Sequence, residues 1–468
     1  MVPTVMNTKV FSALLLLALQ IAAPAGAAQT PVTCKGEIAT IVGSDAREEI
    51  VGTPARDVIA GVGGNDWIEA GDGDDLVCGG AANDRISGGA GADELYGGAD
   101  YDDLFGEEGD DLLFGGPRSV ELRREFRDDL MRGGPGDDLI QDGYVTFAGA
   151  AGPVEVDLLA GTATGEGADR LVRVYRAAGS EFADRLTGTP GLDQLYGRGG
   201  DDVLDGFRGG DFLAGGGGAD LVSAGNGPDV LLAESPEDEV VGNDDYRGGR
   251  GRDRFTFDDT RVPTHLDLER GQIFSEGVDV ISGVEDATGS WRAGNRLVGD
   301  DGDNVLTGGG FSADVIDGAG GDDVLDGGSQ GSDDQLTGGL GDDVFHPGCN
   351  GRRAAYDGGP GVDTLDYRTH GCGSGWVYAD LAQGTIETET GSGTVTGVEN
   401  VFGSDGDDKL TGNDEVNILG GVIGEDLLFG GAGDDVLLGG ADHDHGDGGG
   451  GSDACRTIER KRACEKTR

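Results

Sequence analysis

Aspartate recurs in this chain at a spacing that could assemble oxygen ligands around cations. From Gly61 the sequence reads GVGGNDWIE, AGDGDDLVC, GGAANDRIS, GGAGADELY, GGADYDDLF, GEEGDDLLF, nine residues a step. The pattern is G-G-x-G-x-D-x-U-x, with U a large apolar residue, and its positions are numbered 1 to 9 below. Asp57, Asp75, Asp93 and Asp111 are 18 residues apart, and Asp66, Asp84 and Asp102 fall midway between them. If two steps close one coil, these carboxylates line two edges, successive ones about 4.8 Å apart. Bare carboxylates that close raise one another's pKa, and a cation between them removes the repulsion. Turn carbonyls add further oxygens. Such an all-oxygen site suits Ca²⁺, with ligands at about 2.3–2.6 Å, better than Mg²⁺, which keeps its waters.

The same position picks out further candidate metal ligands. They are Asp138, Asp184, Asp193, Asp202, Asp211, Asp220, Asp229, Asp323, Asp343, Asp363, Asp408, Asp426, Asp435 and Asp453. Multiple Ca²⁺ ions are therefore expected. Asn304 and Asn417 replace the aspartate with an uncharged amide. The repeats Gly308–Asp317 and Gly327–Thr337 carry one and two extra residues, and Gly446 takes the apolar position of Gly439–Asp447. These coils are expected to bind weakly or not at all.

The elements that must position the aspartates follow from the same step. Gly, Asp and Asn in the first six positions tolerate the φ > 0 of tight turns. The last three, such as Trp67-Ile68-Glu69, form a short strand with its middle side chain inward. Stacked coils pair as parallel strands, and Ile68, Val77, Ile86, Leu95, Leu104 and Leu113 form a thin apolar core that needs several coils to bury it. The expected class is all-β, a parallel β-roll or β-solenoid of nonapeptide repeats with short strand-rich inserts.

With these runs, and with Gly197–Leu231, Gly318–Asp326 and Gly430–Leu438, the chain resembles the RTX, or haemolysin-type, calcium-binding repeat proteins. The resemblance implies a parallel β-roll with Ca²⁺ held between adjacent turns. It implies no single biological role, because the family joins this roll to toxins, proteases, lipases and adhesins.

Composition agrees with a scaffold loaded by cations. The chain holds 95 Gly in 468 residues, 6% aromatics and a formal net charge of −55. Self-repulsion and a thin core disfavour the bare folded chain; about twenty Ca²⁺ would return about +40. Folding coupled to Ca²⁺ loading is expected, and the acidity argues against a nucleic-acid partner.

Residues 1–28 read as a secretory signal peptide: Lys9, an apolar run from Val10 to Ala23, then Ala25-Gly26-Ala27. The run is shorter than the about 20 residues that span a bilayer, so no membrane span and a secreted, extracellular product are expected. The basic C-terminal sequence lacks an apolar tail, unlike the C-terminal export signal of the family's best-known route. Six cysteines in an exported chain suggest disulfides. Of 15 possible pairings, proximity favours Cys34–Cys78, Cys349–Cys372 and Cys455–Cys464 over zinc, for which no C-x-x-C exists.

Along the chain, 29–42 reads as an N-terminal cap and 457–468 as a basic tail. Cassettes of repeats are expected at 43–141, 179–256, 289–366 and 403–456. They are joined by related inserts at 142–178, 257–288 and 367–402. Val154–Thr162, Thr264–Gln272 and Val377–Thr385 share an alternating pattern that predicts a β-hairpin or small arm, and Gly-Ser follows each insert. Leu122, Phe126 and Leu130 predict a short amphipathic helix over Pro117–Arg132, covering the roll.

Catalytic signals are sparse. There is no H-E-x-x-H. The G-x-S-x-G string at Gly327–Gly331 lies in a repeat turn, not a strand-to-helix elbow, so Ser329 is not expected to be a nucleophile. Asp442-His443-Asp444-His445 reads as surface decoration. The expected product is no enzyme but a secreted Ca²⁺-binding structural, matrix or interaction protein. The alternatives are a polysaccharide-modifying enzyme or an adhesin, with an extracellular glycan or cell-surface component as partner.

Overall fold

The computed structural model describes residues 31–116, 129–233, 243–257, 263–274, 278–310, 312–328, 333–347, 353–368 and 375–464. Residues 1–28, expected above to be a signal peptide, and Cys349, Cys372, Ser329, Leu122 and Phe126 lie outside these residues. Two long sheets face each other across a single thin core, and the chain passes from one to the other every nine residues. In one sheet Trp67–Asp72, Arg85–Ala90, Asp103–Glu108 and Leu130–Arg132 pair in parallel, placing Ile68, Ile86, Leu104 and Met131 in one column. In the other, Val58–Ala60, Leu76–Ala81, Glu94–Ala99, Leu112–Phe114 and Leu139–Gln141 stack Ile59, Val77, Leu95, Leu113 and Ile140. All of these side chains are fully buried. Each contributes about 1.5–3 kcal/mol by burial.

Leu130–Arg132 is a strand, not the end of a helix, because Met131 continues the apolar column while its neighbours face outward. Among the described residues no helix is long and apolar enough to cross a membrane.

The three inserts are woven into one sheet rather than projecting from it. Glu155–Asp157, Thr162–Thr164 and Ala168–Val172 form an antiparallel meander. Its last strand pairs in parallel with the preceding coil, Leu139–Gln141, and its first with the following coil, Arg185–Thr187. His265–Asp267, Gln272–Phe274 and Val278–Ser282 repeat this arrangement, as do Val377–Asp380, Thr385–Thr388 and Gly391–Thr396. Meanwhile the opposite sheet advances by a single strand, for example from Tyr144–Thr146 to Arg176–Ala178. One sheet thus gains two strands that the other lacks, and larger side chains occupy the core there. Tyr246, Phe255 and Phe257 meet with ring centroids 4.9 and 5.1 Å apart. Phe345 and Tyr356 do so at 6.3 Å.

The ends are closed by disulfides. Cys34–Cys78, with Cα atoms 5.7 Å apart, fastens the hairpin of Thr33–Cys34 and Glu37–Ile38 to the outer face, where Cys34 packs on Val58 and Leu76. Cys455–Cys464 ties down the last coil. Cys455 occupies the apolar column, and Lys461 Nζ donates to its carbonyl at 2.6 Å.

Turn backbone explains the glycines at positions 2 and 4, where φ is positive, as at Gly71 (112°) and Gly73 (123°). Val62 (81°) and Val422 (87°) hold position 2 in the same region, which a β-branched side chain resists. Val62→Gly and Val422→Gly are each expected to stabilise the cation-loaded protein by about 1 kcal/mol. Chemical denaturation reads this, and a loss of stability would refute the strain.

Candidate metal-binding turns

Position 6 immediately precedes each strand, so its carboxylate points back into the turn it has just left. Its Oδ1 accepts the backbone N–H of the aspartate one coil earlier. Asp57 N donates to Asp75 Oδ1 at 2.7 Å, Asp75 N to Asp93 at 2.8 Å and Asp93 N to Asp111 at 2.8 Å. On the other edge Asp66 N donates to Asp84 at 2.9 Å and Asp84 N to Asp102 at 2.8 Å. Later coils repeat the ladder through Asp138, Asp184, Asp193, Asp202, Asp211, Asp220 and Asp229. It also runs through Asp323, Asp343 and Asp363, then Asp408, Asp426, Asp435 and Asp453.

The second oxygen is the chemically informative one. Oδ2 is buried without a hydrogen-bond donor in Asp66, Asp75, Asp84, Asp93, Asp102, Asp111 and Asp138. The same holds for Asp202, Asp211, Asp229, Asp323, Asp343, Asp363, Asp426, Asp435 and Asp453. A buried anionic oxygen with no partner costs several kcal/mol unless a cation or proton satisfies it. Position 1 gives it room: a Cβ at Gly79 would lie 2.5 Å from Asp84 Oδ2 and 2.7 Å from the Gly97 carbonyl oxygen of the next coil. Carboxylate and carbonyl therefore border the same small space. Among the described residues no three His, Cys, Asp or Glu side chains gather as a metal cluster. A cation here is held by few carboxylates and by backbone carbonyls, a donor set that suits Ca²⁺.

Burial, and secondarily the neighbouring carboxylates, push these acids up against the opposing pull of the ladder N–H. Asp102, Asp138 and Asp202 rise to about 8. Asp93 and Asp211 rise to about 7.

Sequence reasoning missed several members. Asp253, Asp314 and Asp444 also carry a buried, donorless Oδ2. Asp253 sits in the regular repeat GGRGRDRFT, which periodicity could have found. Asp314 keeps its place despite the extra residue, because the lengthening is absorbed in the loop before it and its ladder bond to Asn295 N remains, at 2.7 Å. Asp444 accepts from Asp426 N at 3.1 Å although position 8 is Gly446. There a Cβ would meet Ile458 Cδ1 at 2.6 Å, so Ile458 fills the gap from the following segment. Asp129, Asp169, Asp244, Asp279 and Asp334 extend the ladder as well. Asp244 Oδ2 accepts from Tyr246 Oη at 3.2 Å, which supplies a proton that Oδ2 lacks in turns such as those of Asp202 and Asp229.

Position 5 forms a second ladder running the opposite way. Asp74 Oδ1 accepts from Ala92 N one coil later at 3.0 Å, Asp110 from Asp137 N at 3.0 Å and Asp322 from Asp342 N at 2.8 Å. These exposed carboxylates hold turn to turn and leave position 6 to face the cradle.

The family model of the RTX calcium-binding nonapeptide repeat (4 copies) matches residues 51–86, 87–117, 178–213, 208–231, 293–310, 330–348, 394–427 and 420–454. Most of the unmatched stretches between these segments fall on the woven inserts. No curated protein matches the chain.

Proposed function

Because the chain is an RTX calcium-binding repeat protein, we propose that it is an exported, non-enzymatic scaffold whose β-roll is completed by Ca²⁺. Its role is structural or interactive outside the cell. The observation that carries the reading is the rows of buried, donorless Oδ2 atoms facing carbonyl-lined turns. Each is a cost in the bare chain and a ligand in the loaded one, so cation binding and folding draw on the same atoms. Two disulfides among the described residues support an oxidising compartment. A glycan or cell-surface partner is compatible with the long outer faces, where aromatic side chains such as Tyr96 and Phe114 stack at 4.8 Å.

Native mass spectrometry of the calcium-loaded full chain tests the reading, with on the order of twenty ions expected. Asp75→Ala combined with Asp93→Ala should lower that count by about two. A protein that binds no calcium, or that keeps its full β signal in chelator at neutral pH, would defeat the proposal.

A further inference from the structure

Most turns of this roll fall into two classes separated by the residue at position 2; the lengthened turn of Asp314, whose Gly309 at position 2 lies outside the positive-φ region, belongs to neither. In the first class position 2 has positive φ, as at Val62, Gly98, Glu107 and Arg198. Its N–H then points along the stack: Gly98 N donates to the Gly115 carbonyl at 2.9 Å and Glu107 N to the Gly133 carbonyl at 2.9 Å. In these four turns the Oδ2 of Asp66, Asp102, Asp111 and Asp202 has no donor.

In the second class position 2 is Ser, Thr, Asn or Asp, and its N–H turns inward onto its own position 6. Thr53 N and Oγ1 donate to Asp57 Oδ2 at 2.7 and 2.8 Å. Thr189 N and Oγ1 donate to Asp193 Oδ2 at 2.5 and 2.9 Å. Ser180 N and Oγ donate to Asp184 Oδ2, and Ser404 N donates to Asp408 Oδ2 at 2.7 Å while its Oγ donates to Asp408 Oδ1 at 3.1 Å. Asp300 N and Asn413 N donate to the amide oxygens of Asn304 and Asn417 at 2.9 and 2.8 Å.

We infer that position 2 decides occupancy: second-class turns take no cation, and first-class turns do. The inference rests on the calcium-binding reading above. Its physical ground is that an N–H, and often an O–H, aimed into the cradle puts positive hydrogens where the cation would sit. The same donors satisfy the Oδ2 that would otherwise demand the ion, although Asp193 keeps a buried Oδ1 without a donor. The appearance of neutral Asn295, Asn304 and Asn417 at position 6 in this class alone fits, since no charge is needed there. These turns come in adjacent pairs, and a pair opens each of the four runs of repeats, at 43–57, where Ser44 N donates to Glu48 Oε2 at 2.7 Å in the first turn, and at 179–193, 289–304 and 403–417. Each run therefore begins with a coil that needs no metal, on which metal-bound coils stack.

The ion count of the full chain by native mass spectrometry tests this with one substitution placed in both classes. Asp202→Asn should lose about one calcium and Asp184→Asn none. Ser180→Gly with Thr189→Gly, which frees both carboxylates, should gain about two. A gain cannot arise from misfolding. A wild-type chain without calcium would overturn the calcium-binding reading itself. A loaded wild type whose count falls in Asp184→Asn, or does not rise in the double glycine variant, would overturn the position-2 assignment alone.

Discussion

Stripped of divalent cations at about pH 8, the protein should lose most of its β signal, and acidification to about pH 5 should return part of it. The sign follows from the raised acids. In the folded chain Asp84 titrates at about 6, Asp426 and Asp363 at about 7, and Asp102 and Asp138 at about 8. Unfolded aspartates titrate near 3.9. The folded form thus holds protons that the unfolded form has released. The stability they lend is fully present below about pH 4 and is lost as pH rises through 6 to 8. A proton substitutes for the cation at Oδ2, though without bridging to the carbonyls. Circular dichroism of the metal-free protein across this range checks the expectation, and an apo β signal equal at both ends, or larger at pH 8, would refute it. With calcium present the direction reverses, because protons compete with the ion for the same oxygen. Whatever order survives at pH 8 without metal should map by amide exchange to the woven inserts and the coils that follow them.

Phe255→Ala should cost the loaded protein about 4 kcal/mol, more than truncation of an ordinary column residue. Phe255 is fully buried and stands in the apolar column between Leu231 and Ala287. It also contacts both Tyr246 and Phe257 where the facing sheet has gained two strands. The space it fills is wider than a regular coil, so neighbours can collapse onto the cavity less completely. Leu104→Ala, by contrast, empties a slot bounded above and below by Ile86 and Met131, and about 3 kcal/mol is expected. Because each coil of a solenoid touches only its neighbours, the damage should stay local. Amide exchange should quicken around residues 245–257 and 278–288 and not in the first cassette. A penalty under about 1 kcal/mol would show that the woven insert does not depend on the aromatic cluster.

The regular coils were legible because they are generated by translation. Residues 18 apart, such as Asp75 and Asp93, must occupy equivalent places in a stack, so the two edges and the apolar column follow from spacing. The pairing of Cys34 with Cys78 and of Cys455 with Cys464 was legible for a related reason: few cysteines lie close in sequence. Departures from translation were misread. Asp314 and Asp444 looked spoiled by an insertion and a glycine, yet the loop absorbed the first and Ile458 compensated for the second. The inserts read as arms because alternation reveals a strand but not its neighbours. That Glu155–Asp157 pairs forward with Arg185–Thr187 while Ala168–Val172 pairs backward with Leu139–Gln141 is a non-local fact.

The sequence by itself determined the coil, its thin core and the aspartate rows, since a nine-residue period of glycine, aspartate and apolar residue has few foldable solutions. Only the tertiary structure decided which aspartates are left wanting a cation. The same Asp at position 6 is satisfied in Thr53–Asp57 and donorless in Val62–Asp66. The difference lies in the φ at position 2 and in where the next coil offers that residue's N–H an acceptor, so the meaning of the Ser, Thr, Asn or Asp found there became legible only in the fold.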